Sequence, residues 1–264
     1  MKINLHIPIQ QYGFVEATDV DPADVERIYN QYAEKPISLK SGSFVTVQTF
    51  TGETIQYNKD THVYKDMQDN KLLGGSTYAK QFEEPFNKET ILPRCAKAWQ
   101  VEASVIEDIW DMNRQTSILL GSAIHLGLEL AHKHAKDGAI ITENKKGQED
   151  NYALPKSPIV RKAVLAFIKA YGLDALPEVF VSDVANKRAG QIDRLKITGD
   201  KTCRVQDYKT SPPEPDEILV HQHQLSYYAS CLTEKGWTVE GLDIFFYDGD
   251  KWTIKSLEVL GVRL

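Results

Sequence analysis

The chain has 264 residues, 42% of them hydrophobic, and a formal net charge of −6, which suits one large domain, or one domain with an appendage, rather than a disordered chain. No stretch approaches the roughly 20 consecutive apolar residues of a membrane span, and the opening MKINLHIPIQQYGF lacks the long apolar core of a signal peptide. Cys95, Cys203 and Cys231 are odd in number and form no CxxC pair, which excludes a disulfide framework or four-cysteine zinc site and fits a reducing, cytoplasmic setting.

Residues 1–57 read as a small β/α appendage without chemistry of its own, and 58–264 as the main domain. Lys2–Ile9 has the composition of a strand, and Ala23–Glu34 that of an amphipathic helix after the turn-rich TDVDP. Phe44–Phe50 and Glu53–Tyr57 read as two strands joined at Thr51-Gly52. A turn and short strand follow over Asn58–Tyr64, then a turn at Gly74-Gly75-Ser76-Thr77. Asn87–Asp111 reads as helix broken near Leu92-Pro93, with Trp99 and Trp110 as core aromatics.

Ile118–His134 is a further helix on which Gly121, His125 and Glu129 recur every four residues and so share one face. Gly121 leaves room for another backbone or a phosphate beside His125. His125 itself is open between a buried core histidine and a ligand, while His132 and His134 suit the exposed last turn, where the helix dipole favours them. Gly138–Leu154 is a polar, lysine-rich loop. Ser157-Pro158 starts a helix that stops at Gly172, with serine as N-cap and proline in the first turn.

Glu178–Val184 reads as a strand, and Glu178 is open between a site carboxylate and a surface residue at a strand end. The stretch Ala189–Thr210, AGQIDRLKITGDKTCRVQDYKT, then reads as a β-hairpin turning near Asp200. That centre sets Asp193 opposite Asp207, with Cβ atoms about 5 Å apart, and Lys209 on the same face as Asp207. Two carboxylates and an ammonium on one face suit a hard divalent cation and phosphodiester hydrolysis, although such residues also occur as a solvated hairpin face. A helix over Pro215–Lys235 follows, with Gln224 and Tyr228 four apart on one face, and Gly241–Asp248 and Lys251–Val259 close the chain as strands. The order predicts an α/β (α+β) fold, a mixed sheet flanked by helices.

The set G-x-x-x-H-x-x-x-E (Gly121, His125, Glu129), G-x-I-D (Gly190, Asp193), D-x-K-T (Asp207, Lys209, Thr210) and Q-x-x-x-Y (Gln224, Tyr228) resembles the PD-(D/E)XK nuclease superfamily, and within it the RecB-like branch that includes phage recombination exonucleases. The resemblance implies a restriction-endonuclease-like core. It implies that His125, Asp193, Asp207 and the carbonyl of Tyr208 bind Mg²⁺ or Mn²⁺, and that Lys209 orients the attacking water. Gln224 and Tyr228 would position the scissile strand or the lysine, and Glu129 would support the helix side of the site as a partner of His125 or as a water-bridged metal contact. With no four-cysteine cluster and no G-x-x-x-x-G-K-[ST] loop, the resemblance narrows to an ATP-independent DNA exonuclease acting on linear ends in recombination or repair. A single-strand-annealing protein and a homo-oligomer are the partners it suggests. An endonuclease of the same fold, a catalytically silent DNA-binding member and a metalloenzyme acting on small phosphate esters are the rivals. The acidic net charge runs against DNA binding unless metal-bound carboxylates or a local basic groove account for it. Lys133, Lys187, Arg188 and Arg194 are the candidate phosphate contacts.

Overall fold

The computed structural model describes residues 3–10, 13–24, 27, 43–134 and 157–262. The Gly138–Leu154 loop and His134's side chain lie outside the described residues, as does most of the helix expected over Ala23–Glu34. Strands β1 (Ile3–Gln10) and β2 (Gly13–Val20) form an antiparallel pair of their own. The first matches the strand expected over Lys2–Ile9, and the second was not expected.

The principal sheet is mixed, as expected. Its strands are β3 (Val45–Gln48), β4 (Thr54–Asn58), β5 (Val63–Lys65), β6 (Lys71–Gly74), β7 (Leu176–Asp183), β8 (Arg188–Gly199), β9 (Thr202–Lys209), β10 (Thr238–Tyr247) and β11 (Trp252–Leu257). They run in the order β11-β10-β9-β8-β6-β5-β4-β3, with β7 also paired to β8. The β6–β8 and β9–β10 contacts are parallel and the rest antiparallel. The expected boundary between residues 57 and 58 falls inside β4, whose neighbours continue the sheet. Glu53 fastens this part to the rest, accepting from Ser182 Oγ at 2.7 Å, the Val184 amide at 3.0 Å and Lys235 Nζ at 2.7 Å.

The helices whose spans are described are α1 (Gly75–Ala79), α2 (Lys88–Trp99), α3 (Ala103–His134), α4 (Pro158–Tyr171) and α5 (Pro215–Thr233). Helix α2 runs through Pro93. That proline forfeits one bond, to the Glu89 carbonyl near the helix start, and the chain turns instead at Gln100 in a left-handed conformation (φ 58°). The helix expected from Ile118 is therefore the second half of a 32-residue helix. Trp99 and Trp110 are only half-buried, and Ile106, Ile109 and Met112 are the residues that α3 buries in this region. Helix α4 ends at Gly172 (φ 68°) as its composition predicts, and α5 opens with a Glu214/Glu217 capping box.

Two apolar layers sandwich the central strands. On one face Val205, Leu242, Ile244 and Phe246 pack with Leu225, Tyr228 and Leu232 of α5. On the other, Tyr208 and Phe245 pack with Ile124 and Leu128 of α3 and Val164 and Phe167 of α4. Because side chains alternate along each strand, Asp207 and Lys209 belong to the α5 face, and Gln206 and Tyr208 to the α3/α4 face.

Candidate active site

The hairpin has the predicted register as far as Arg194 opposite Gln206, where the regular β8–β9 pairing ends. Beyond that point β8 stays with β7 while β9 follows β10. The next residues, Asp193 and Asp207, therefore flank the opening of a fork. The Tyr208 amide, freed from the ladder, donates to Asp193 Oδ2 at 3.0 Å.

His125 reaches this fork from α3. Its Nδ1 lies 3.4 Å from Asp193 Oδ2, and its Nε2 lies 3.1 Å from the Tyr208 carbonyl oxygen. Each ring nitrogen thus faces an oxygen acceptor, and a neutral imidazole can donate to only one of them. Glu178 completes the cluster, since ligand atoms of His125, Glu178 and Asp193 all lie within 4.8 Å of one another. Its position is unusual for a glutamate in a strand, with φ of 52° in the left-handed region.

The electrostatics follow from this crowding. Burial, reinforced by Asp193 and Glu129, pushes the Glu178 carboxyl up to about 9. Burial raises Asp193 to about 6 against the pull of His125, with Asp207 adding to the rise. Asp207 goes the other way: burial would raise it, but Lys209 and His221 together hold it below the usual carboxylate range. Burial opposes the Lys209 charge, yet Asp207 and Asp193 hold its ammonium above the ordinary lysine value. Lys209 Nζ sits 2.6 Å from Asp207 Oδ2 as an ion pair, while that oxygen is buried without a hydrogen bond of normal geometry.

The residues present fit a divalent cation. Hard oxygen donors with one imidazole are suitable ligands for Mg²⁺ or Mn²⁺, and a buried carboxylate oxygen without a hydrogen bond lies beside them. The expected ligands are placed as follows. His125, Asp193 and the Tyr208 carbonyl converge, Glu178 joins them, and Asp207 stands next to the cluster with Lys209.

The Q-x-x-x-Y pair is brought to the same place for a packing reason. Gln224 Nε2 donates to the Tyr228 hydroxyl at 3.0 Å. The Tyr228 ring lies so close to the backbone that a Cβ at Gly75 or at Gly190 would fall 2.2 Å from its Cε1. The glycine of G-x-I-D therefore makes room for the tyrosine of Q-x-x-x-Y. Gly121 has a related use: a Cβ there would lie 3.2 Å from Thr210 Oγ1, so it admits the threonine of D-x-K-T rather than a backbone.

Three side chains that sequence reasoning overlooked also border the site. Tyr57 and Tyr64 stack at 5.0 Å, both buried. The Tyr57 hydroxyl is pushed up to about 12 by burial and then by Glu178, and Tyr64 is raised by burial and by charges that include Glu178 and Asp193. The N-terminal strands thus wall the site they seemed remote from. His221, within reach of the Lys209 and Asp207 charges, is held low by burial first and Lys209 second. The signal for it was its position three residues before Gln224, on the same helical face. His132, expected on the exposed last turn of the helix, is buried instead, with Nδ1 donating to the Leu128 carbonyl and Nε2 accepting from Arg194.

Other expectations need correction. Arg194 is no surface cation: it is 2% exposed, and its guanidinium donates to His132, Gln206 and Asp174. Arg188 is buried too, donating to Ser230 Oγ at 2.7 Å beside Asp183. Lys187 is exposed, but six residues along β8 from Asp193 is about 20 Å. Lys133 is exposed and does stand near the site, paired with Glu129 and acting on Glu178. Glu129 is engaged with Lys133 rather than with His125.

A fork between central strands of a mixed sheet, holding an imidazole, three carboxylates and a lysine, is an arrangement suited to a divalent cation and to hydrolysis of phosphate esters. A family model for the PD-(D/E)XK nuclease superfamily matches residues 91–256. The match covers more than half of the chain, which belongs to that superfamily of nucleases. A search of the curated proteins finds no match. Among the described residues, no helix is long and apolar enough to cross a membrane.

Proposed function

We propose that the chain is a metal-dependent, ATP-independent DNA exonuclease that shortens linear DNA from its ends. The observation that carries the reading is the Lys209–Asp207 ion pair set beside the His125/Glu178/Asp193 cluster. His125, Glu178, Asp193, Asp207 and the Tyr208 carbonyl would hold Mg²⁺ or Mn²⁺. When bound, such a cation neutralises charge on the scissile phosphate and lowers the pKa of a coordinated water. Lys209 orients the attacking water and offsets charge growing on the phosphoryl oxygens. Gln224 and Tyr228 fix one edge of the substrate strand, with Lys133 as a phosphate contact at the rim. The motif set resembles that of RecB-like and phage recombination exonucleases, which supports the preference for ends and a strand-annealing protein as partner.

Digestion of linear and closed-circular DNA tests this, with Mg²⁺, Mn²⁺ or EDTA, for wild type and Lys209→Ala. The expected outcome is loss of linear DNA alone, abolished by EDTA and by the substitution. Nicking of closed circles would make the protein an endonuclease. Full activity in Lys209→Ala would overturn the site assignment.

A further inference from the structure

Next to the row that carries Asp193 and Asp207 lies a second row of polar side chains, on the opposite face of the sheet. Arg194, Gln206, Asp243 and Ser256 are direct cross-strand neighbours on β8, β9, β10 and β11. They are hydrogen-bonded in sequence. Arg194 Nη1 donates to Gln206 Oε1, Gln206 Nε2 to Asp243 Oδ2 at 2.7 Å, and Ser256 Oγ to Asp243 Oδ1 at 2.7 Å. Arg204 adds a two-pronged bond to the same carboxylate, at 2.8 and 2.7 Å. A one-residue slip of β8 against β9 would break this row and turn Asp193 to the wrong face.

The row is also tied to α3. His132 lies two helical turns beyond His125 on the same stripe of the helix, since seven residues return to nearly the same angle. Its Nδ1 donates to the Leu128 carbonyl at 2.8 Å, and its Nε2 accepts from Arg194 Nε at 3.3 Å. Two contacts therefore join α3 to consecutive residues of β8, His125 to Asp193 and His132 to Arg194. Burial, and then the Arg194 charge, hold the His132 ring below its ordinary range. It is thus kept neutral, in the one tautomer that serves both bonds. Arg194 is fastened in turn by Asp174, 3.0 Å from Nη2, and lies over the rings of Phe167 and Phe245.

We infer that His132 and Arg194 form a positioning strut that sets how far His125 stands from the β8–β9 fork, and hence how tightly the site takes a divalent cation. Neither residue touches the cation or the substrate. The strut rests on the reading of the fork as a cation site, and it extends that reading to residues one layer away.

Calorimetric titration of the metal-free full-length chain with Mn²⁺ tests it. His132→Leu removes the acceptor for Arg194 and is expected to weaken Mn²⁺ binding by roughly 10- to 100-fold, the usual effect of losing a partner behind a metal ligand. His132→Gln, which can still accept from Arg194, is expected to recover most of that loss. Trp237→Ala, which removes a ring packed on Phe50 just before β10 and about 20 Å along that strand from the level of Asp207, serves as the control for general destabilisation and should leave the affinity near that of wild type. If His132→Leu fails to fold, Arg194→Lys replaces it, keeping a cation for Asp174 without the Nε donor, and is expected to weaken binding in the same direction. Wild-type affinity in His132→Leu or Arg194→Lys, or an equal loss in Trp237→Ala, overturns the strut. Absence of Mn²⁺ uptake by wild type would instead overturn the cation site itself, and the strut with it.

Discussion

Replacing Gly190 by alanine tests the packing that joins two of the sequence motifs. The new Cβ would lie 2.2 Å from Cε1 and 2.6 Å from Cδ1 of Tyr228, where ordinary contact begins at 3.4 Å. The ring would have to retreat by more than an ångström. It has little freedom to do so, because Gly75 abuts the same ring edge and Gln224 holds the hydroxyl. Overpacking of a rigid core costs about 1–3 kcal/mol, and the upper end applies where the obstacle is an immobile ring. Alanine returns about 0.5–1 kcal/mol by restricting the unfolded chain, leaving a net loss of about 2 kcal/mol. At about 2–4 °C per kcal/mol for a chain of this size, the Tm falls by about 4–8 °C in scanning calorimetry. In a Tyr228→Ala background the methyl group enters vacated space, so the second substitution should cost nothing further. A Gly190→Ala protein as stable as wild type, or a penalty that persists unchanged without the tyrosine ring, would refute the reasoning.

Two more expectations concern stability. The folded chain retains a proton on Glu178 that the unfolded chain releases near its ordinary value of 4.5, since burial, Asp193 and Glu129 push the folded carboxyl up to about 9. Stability from this group is therefore complete below about pH 4.5 and is lost as the pH rises toward 9. The metal-free Tm should decline over that window, and Mn²⁺ or Glu178→Gln should flatten the decline; a slope unchanged by Glu178→Gln would count against the carboxylate crowding. Asp243→Ala strips the partner from Arg204, Gln206 and Ser256 at a site 2% exposed. Removing one side of such a buried network costs about 3–5 kcal/mol, to be read from urea unfolding, and a loss below about 1 kcal/mol would show that the row contributes little to the stability of the fold.

The parts of the site legible in the sequence are those fixed by local periodicity. Strand alternation and a turn centred near Asp200 suffice to place Asp193, Asp207 and Lys209, because a hairpin's register is set by its own turn. Helical spacing likewise pairs His125 with Gly121 and Gln224 with Tyr228. What the sequence could not supply was the environment of charged residues. Arg194 and His132 look like surface groups by residue type, and only the meeting of α3, α4 and four strands reveals that they satisfy one another in the interior. Nor does any local pattern reveal that β6 pairs in parallel with β8, the contact that extends the sheet to β3–β6 and turns Tyr57 and Tyr64 from an appendage into a wall of the site.

Glu178 shows why the carboxylate set was left open. Glutamate has no preference for the left-handed backbone it adopts at φ 52°, a conformation that costs roughly 1–2 kcal/mol for a residue with a Cβ. Nothing in the residue type announces it. In the fold, that strain coincides with a second unfavourable feature, a carboxyl crowded against Asp193 and driven to hold its proton. Two costs at one residue single out this point as one shaped for something other than stability. A divalent cation held by Glu178, Asp193 and His125 would reverse the electrostatic cost by letting both carboxylates ionise. The same crowding that weakens the metal-free fold would then strengthen the hold on the ion.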